Sequence, residues 1–274
     1  MKNLRQIAWN TSRLIAQNGG PVSRLLYRMA NLYAKTYNNL NYNMENNGEY
    51  YVLDQLSKAI TVKTVFDVGA NKGDYTNACL SRFENATIHA FEIAPATYRK
   101  LTANVSSTHV KFNNFGLSNM KGTFELNYNP DDDGSSSLVA GGHIHEGMWK
   151  KINVDVITGD DYCKDNRIDN IDLLKVDVGG AEHLVFDGFS QSFEKGLISS
   201  VQFEFGMVNI YSKFLLKDFW EFFSNHGYVL GPVMPKGIDF KEYNTRDENF
   251  QGPPNFFAVH KSKSKIIEAV KRKK

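Results

Sequence analysis

Cysteine is nearly absent: Cys79 and Cys163 are the only two in 274 residues. They cannot build a disulfide framework and match no zinc-ligand spacing, which suits a reducing compartment. No apolar run approaches the ~18 residues of a membrane span, and the start lacks a signal-peptide core. A soluble, cytoplasmic protein is therefore expected. Acid is missing from the first 44 residues, where six Lys or Arg precede the first carboxylate at Glu45. The three-glycine dinucleotide fingerprint is missing too, which sets aside a nicotinamide oxidoreductase. No internal repeat is visible.

What is present is core material. Hydrophobic residues make up 42% and aromatics 13%, which excludes a mainly disordered chain. The length suits one large domain of roughly 200 residues with a smaller appendage. The net charge of +2 conceals segregation. Residues 45–260 carry 19 basic and 29 acidic side chains, and 261–274 carry seven basic and one acidic. Basic ends on an acidic body point to a polyanion or to peripheral contact with an anionic membrane surface, at its inner face. A solvated tail and an ordinary surface helix are the plainer reading. An acidic body repels phosphates, so no nucleic-acid partner is expected.

Val22, Leu25, Leu26, Met29 and Tyr33 recur at helical offsets behind the break at Gly19-Gly20-Pro21. Residues 1–36 thus read as two short amphipathic helices, within an N-terminal helical extension spanning 1–47. A connector (37–48) and a helix, Glu49–Ala59, follow. From Thr64 onward β-rich runs at 64–68, 87–92, 110–113, 171–176 and 200–204 alternate with helical ones such as 75–83 and 96–105. That rhythm predicts a doubly wound, mostly parallel α/β sheet. Residues 115–160 interrupt it with a hairpin at 122–128 and a polar loop at 130–142. Residues 252–257 read as the turn into a final strand.

The strongest local signal is Phe66-Asp67-Val68-Gly69-Ala70-Asn71-Lys72-Gly73. A strand ends in an acid, then a small-residue turn opens a helix whose free amides can meet a ligand. An acid there suits a ligand with an ammonium group. The next strand ends Ala90-Phe91-Glu92, placing a second acid where a ribose diol can be held. Together they predict a nucleoside cofactor, and the ammonium preference selects S-adenosylmethionine.

These blocks, with Gly116-Leu117-Ser118, Ser136-Ser137-Leu138 and Leu174-Lys175-Val176-Asp177, resemble the FkbM family of S-adenosylmethionine-dependent methyltransferases over about residues 48–260. The resemblance implies a class I methyltransferase (Rossmann-like) fold with a seven-stranded sheet. It also implies O-methylation of a hydroxyl on a sugar, glycan or related metabolite. Asp67, Gly69, Ala70, Asn71, Gly73 and Tyr75 would line the methionine end, Glu92 would hold the ribose, and Asn114, Gly116 and Leu117 would flank the adenine. Residues 261–274 would form a separate basic tail.

One departure stands out. Where the family places a carboxylate, this chain has Gly179, in Lys175-Val176-Asp177-Val178-Gly179-Gly180-Ala181-Glu182. A catalytically weakened or silent cofactor-binding partner of a glycan-assembly system is the alternative it raises. Asp177, ending the fourth strand, is the expected base, and Glu204, ending the fifth, faces the same rim. The two could share a divalent cation such as Mg. Ser136, Ser137, His143, His145 and Glu182 are expected on the substrate side. Alternate histidines in a loop bind zinc only with further ligands, and Asp131-Asp132-Asp133-Gly134 reads as a polar turn.

Overall fold

The computed structural model describes residues 2–129 and 149–273. Among these, the strands in chain order are β1 (Thr64–Val68), β2 (Thr87–Phe91), β3 (Val110–Asn113), β4 (Gly116–Leu117), β5 (Gly122–Tyr128) and β6 (Lys150–Ile157). They continue as β7 (Leu173–Val176), β8 (Ser200–Glu204), β9 (Tyr228–Met234), β10 (Gly237–Ile238) and β11 (Asn255–His260). The main sheet runs β10-β9-β11-β8-β7-β1-β2-β3. Strands β3, β2, β1, β7 and β8 are parallel, and β11 enters antiparallel between β8 and β9. This is the Rossmann-like sheet of seven strands that the sequence predicts, plus the two-residue β10 at one edge.

Strands β1, β2, β7 and β8 are buried on both faces, which explains their continuous apolar runs. Phe66 and Val68 of β1 enter one core with Leu174, Val176, Val201 and Phe203; Val65 and Leu173 enter the other. The first core is aromatic. Phe186, Phe193, Phe203, Phe219 and Phe223 meet mostly edge to face, a geometry that adds to their burial. The helices Glu49–Ala59, Asp74–Leu80, Pro95–Asn104 and Ser264–Val270 cover the second core. The helices Gly159–Asn166, Glu182–Asp187 and Leu216–Asn225 cover the first. Each face conceals one cysteine: Cys79 lies in the second core and Cys163 in the first.

Two local expectations change. The hairpin expected at 122–128 is a single strand, β5, paired antiparallel with β6 and joined to β4 in a small three-stranded sheet. β6 is the central strand of that sheet, and residues 129–149 separate it from β5 in the chain, so no short turn marks the pair in the sequence.

The basic tail is not separate. Residues Ser264–Val270 form a helix whose Ile266 and Val270 are buried against the helix Glu49–Ala59 side of the sheet. Arg272 N–H then donates to the Ile238 carbonyl at 2.9 Å, tying the chain end to β10. The apolar positions at i, i+1 and i+4 form a narrow inward stripe, and the lysines around it stay in water. At the other end, helices Lys2–Gln17 and Pro21–Tyr37 follow one another across the Gly19-Gly20 break, with no buried residue in the second helix. None of the described helices is long and apolar enough to cross a membrane.

Candidate active site

Register across the sheet builds the site. Asp67 of β1 lies opposite Lys175 of β7, and Lys175 lies opposite Gln202 of β8. These three polar side chains form a row on one face of an otherwise apolar sheet. At the strand ends, Asp177 directly follows β7, and Glu204 is the last residue of β8, opposite Asn255 of β11. The carboxyl ends of parallel strands, where the chain leaves to opposite faces, are where such sheets bind ligands.

A cleft of about 970 Å³ opens there. Gly69, Ala70, Asn71, Tyr75, Glu92, Gly116, Leu117, Asp177 and Glu204 line it, so most of the residues expected from the sequence come together. Gly69 is required by contact as well as by its φ of +81°. A Cβ there would lie 1.8 Å from the Asp177 carbonyl oxygen. The two loops therefore meet backbone to backbone, which sets Asp177 beside the first turn. Glu92 receives Asn71 N–H at 3.0 Å and Ala94 N–H at 2.8 Å, one on each oxygen. Each oxygen keeps a lone pair for a further donor. Burial lifts its pKa to about 7 despite these bonds.

Lys175 is the centre of charge. Its ammonium lies 3.4 Å from Asp67 Oδ1 and 3.3 Å from Asp177 Oδ2, over the Tyr75 ring. Burial alone would lower its pKa, but Asp177, Asp67 and Glu49 together raise it, so it stays charged. Burial opposes ionisation of Asp177 also, yet Lys175 and a hydrogen bond from Glu204 hold it below the usual carboxylate range. Burial, reinforced by Asp177, pushes Glu204 far up. One proton thus sits on the pair, on Glu204, and Asp177 is the ionised partner. The Asp177 side chain is 44% exposed and opens into the cleft.

Four expected residues have other duties. Asp67 is fully buried, accepts from Thr76 Oγ1 at 2.6 Å and pairs with Lys175, so it supports the floor and does not line the cleft. Gly73, with φ of +93°, makes room for Leu101 of the helix Pro95–Asn104 and for Val105 just after it. Asn114 turns its amide onto the Glu92 carbonyl at 2.8 Å. Glu182 is buried, not on a substrate surface: one oxygen accepts from Val178 and Gly180 N–H and fastens the turn after β7. Ser136, Ser137, His143 and His145, with the polar turn at 131–134, lie outside the described residues.

Neither the role of Lys175, which stands in the motif after the fourth predicted strand, nor the second polar layer beneath it follows from the sequence pattern. Tyr75 OH donates to Gln202 Oε1 at 3.1 Å, and Gln202 Nε2 donates to Glu49 Oε2 at 2.7 Å. Asn47 and Asn255 donate to the other Glu49 oxygen. Contacts 153 and 206 residues apart leave no local periodicity to read.

Two ligands can be tested against these groups. A sulfonium nucleoside fits: Glu92 offers acceptors on the cleft wall, and buried Asn71 Oδ1 has no protein partner in the turn. A divalent cation does not. Asp177 and Glu204 are bonded to each other, and the Lys175 ammonium already occupies the position facing Asp177. Among the described residues no group of three His, Cys, Asp or Glu could hold a metal.

Comparison with known proteins adds the lineage. Methyltransferase sdnD of Sordaria araneosa is 32% identical over 158 residues, 46% of this chain and 60% of that protein. Hexuronic acid methyltransferase AglP of Haloferax volcanii is 28% identical over 142 residues, 51% of this chain and 55% of that protein. The chain thus spans less than two thirds of either relative. Among solved structures, a methyltransferase FkbM from Methylobacillus flagellatus aligns with a TM-score of 0.44 and 13% identity, over 73% of this chain and 44% of that one. The sequence model of the methyltransferase FkbM domain matches residues 67–230, from the acid of β1 to the middle of β9, and to that family the chain belongs.

Proposed function

We propose that this protein transfers a methyl group from S-adenosylmethionine to a hydroxyl of a sugar, glycan or related metabolite. The observation that carries the reading is the Asp177–Glu204 pair, with the Lys175 ammonium 3.3 Å from Asp177, in one cleft with Glu92 and the Gly69–Asn71 turn. When bound, S-adenosylmethionine supplies an electrophilic methyl group. The chain supplies the rest. Glu92 accepts from the ribose hydroxyls, and Asn71 Oδ1 from a donor at the methionine end. Asp177 takes the proton of the acceptor hydroxyl, which is too weak an acid to lose it unaided. Lys175 keeps Asp177 ionised, and Glu204, whose one proton is donated to Asp177, holds that carboxylate in place at the cleft wall. A hexuronic acid methyltransferase among the relatives supports a carbohydrate acceptor.

Residues 48–260 are proposed as the catalytic domain. Its second reading, a silent cofactor-binding protein, rests on Gly179. That residue lies at φ of +65° beside Gly180 at +96°. Replacing it with Glu would therefore force a side chain into a left-handed backbone, at about 1–2 kcal/mol. The glycine is part of the turn that presents Asp177. Incubation with methyl-labelled S-adenosylmethionine and a panel of uronic acid glycosides separates the readings. Alkali-stable label on an ether oxygen supports the transferase; calorimetric binding without product supports the silent protein.

Glu92 gives a sharper test of the cofactor. Charge-assisted hydrogen bonds are worth about 1.5–3 kcal/mol. Glu92→Gln keeps one acceptor and most of the turn, so calorimetry should show S-adenosylmethionine binding at least about tenfold weaker, with melting temperature little changed. Glu92→Ala also orphans the Asn71 and Ala94 amides and should lose stability as well. Unaltered affinity in the Gln variant would remove Glu92 from the ribose site.

A further inference from the structure

The helix Pro21–Tyr37 is turned inside out. Its least exposed positions are Ser23, Asn31, Ala34 and Lys35, and Tyr27, Asn31 and Lys35 line the mouth of the cleft. Its apolar stripe points the other way: Val22, Leu25, Leu26, Met29, Leu32 and Tyr33 are 47–71% exposed. A surface helix of a globular protein buries that stripe and shows its polar face to water. The preceding helix, Lys2–Gln17, also leaves its apolar side chains in the open, with Leu4, Ile7 and Leu14 60–72% exposed. So large a contiguous apolar surface marks a docking face.

The charges identify what it meets. Arg5, Arg13, Arg24 and Arg28 stand on these helices, and no acid occurs before Glu45. Two copies joined through this face would bring like charges together with no anion to offset them. Helices of 16 and 17 residues that carry arginines are too short and too polar to span a bilayer. Trp9, Tyr33 and Tyr37 are the amphipathic aromatics that settle at a lipid–water boundary. Met207, which lines the same cleft, is exposed as well, and so are Ile210, Tyr211 and Leu215 shortly after it in the chain.

We infer that the two N-terminal helices lie in an anionic lipid surface, apolar stripes inward to the acyl chains and arginines at the headgroups. A helix is about 10 Å thick, so the cleft mouth, lined by the opposite face of the second helix, stands at the membrane surface. Taken with the methyl transfer proposed above, on which this one consequence rests, the acceptor hydroxyl belongs to a molecule carried on that membrane. The docking itself is independent of the reaction.

The test is flotation of the full chain with vesicles of phosphatidylcholine containing about 30% phosphatidylglycerol, against phosphatidylcholine alone. Binding should need the anionic lipid and fall steeply between low and physiological salt, since exposed charges are screened within about 8–10 Å. Leu25→Glu with Met29→Glu, and separately Arg24→Gln with Arg28→Gln, should each weaken binding at least about tenfold. S-adenosylmethionine affinity and melting temperature should stay unchanged, because these side chains touch neither cleft nor core. Failure to float with anionic vesicles overturns the proposal. So does binding indifferent to both double variants, or a concentration-dependent dimer abolished by Leu25→Glu with Met29→Glu.

Discussion

Asp177→Asn should lower the rate of methyl transfer about 10²–10⁴-fold, the usual contribution of a positioned general base, with S-adenosylmethionine affinity little changed. Asparagine preserves the shape but cannot take a proton. The substitution does not strand Lys175, which keeps Asp67 at 3.4 Å. Glu204→Gln has the opposite expectation: it mimics the protonated acid and should retain turnover within about an order of magnitude. The pH profiles separate the roles. Asp177 is held below the usual range, so the parent rate should be flat through weakly acidic and neutral pH and fall only in stronger acid. Deprotonation of Glu204 sets two charges side by side, so an alkaline decline should appear in the parent and vanish in Glu204→Gln. Single-turnover assays of the three proteins decide it. Equal rates in the parent and Asp177→Asn would remove Asp177 from the mechanism.

Deleting residues 263–274 should destabilise the whole domain. Val270 is fully buried and Ile266 nearly so, in the same core as Leu53 and Leu56. Removing a buried large aliphatic side chain costs about 2–5 kcal/mol, and the deletion also frees the β10 edge from Arg272. One kcal/mol shifts the midpoint by roughly 2–4 °C at this size, so a fall of roughly 10–20 °C is expected by calorimetry. Neutralising Lys265, Lys271, Arg272 and Lys273 to Gln should change the midpoint by only a degree or two, since exposed charges contribute little. An unchanged midpoint in the deletion would show that the helix adds nothing to the core.

The contrast between those two regions shows what a sequence displays. The β1 strand and its turn were legible because their causes are local: a short apolar run, then glycines where the backbone must bend. Asp177 and Glu204 were legible because strand ends in a parallel sheet converge. Asp67 was misplaced for a reason no local pattern contains, since its partner Lys175 comes 108 positions later and draws it under the floor. The final helix was obscured by composition. Seven cations around Ile266 and Val270 outweigh two inward residues in any count, yet only the two decide whether the segment packs. The first two helices showed their periodicity plainly but not their direction, because amphipathicity says which residues share a face and not which face looks inward.

The placement of the two cysteines has a practical consequence. Burial lifts the Cys163 thiol to about 12 and the Cys79 thiol well above its ordinary range, so both are chemically silent in the closed fold. Each lies beneath a different face of the sheet. Alkylation therefore becomes a clock with two independent hands, one counting the openings of each side. Cys79 rides on the helix Asp74–Leu80 that begins at the Gly69–Gly73 turn. A ligand seated on that turn should slow its hand by mass action, while the Cys163 hand keeps its pace whenever the faces open separately.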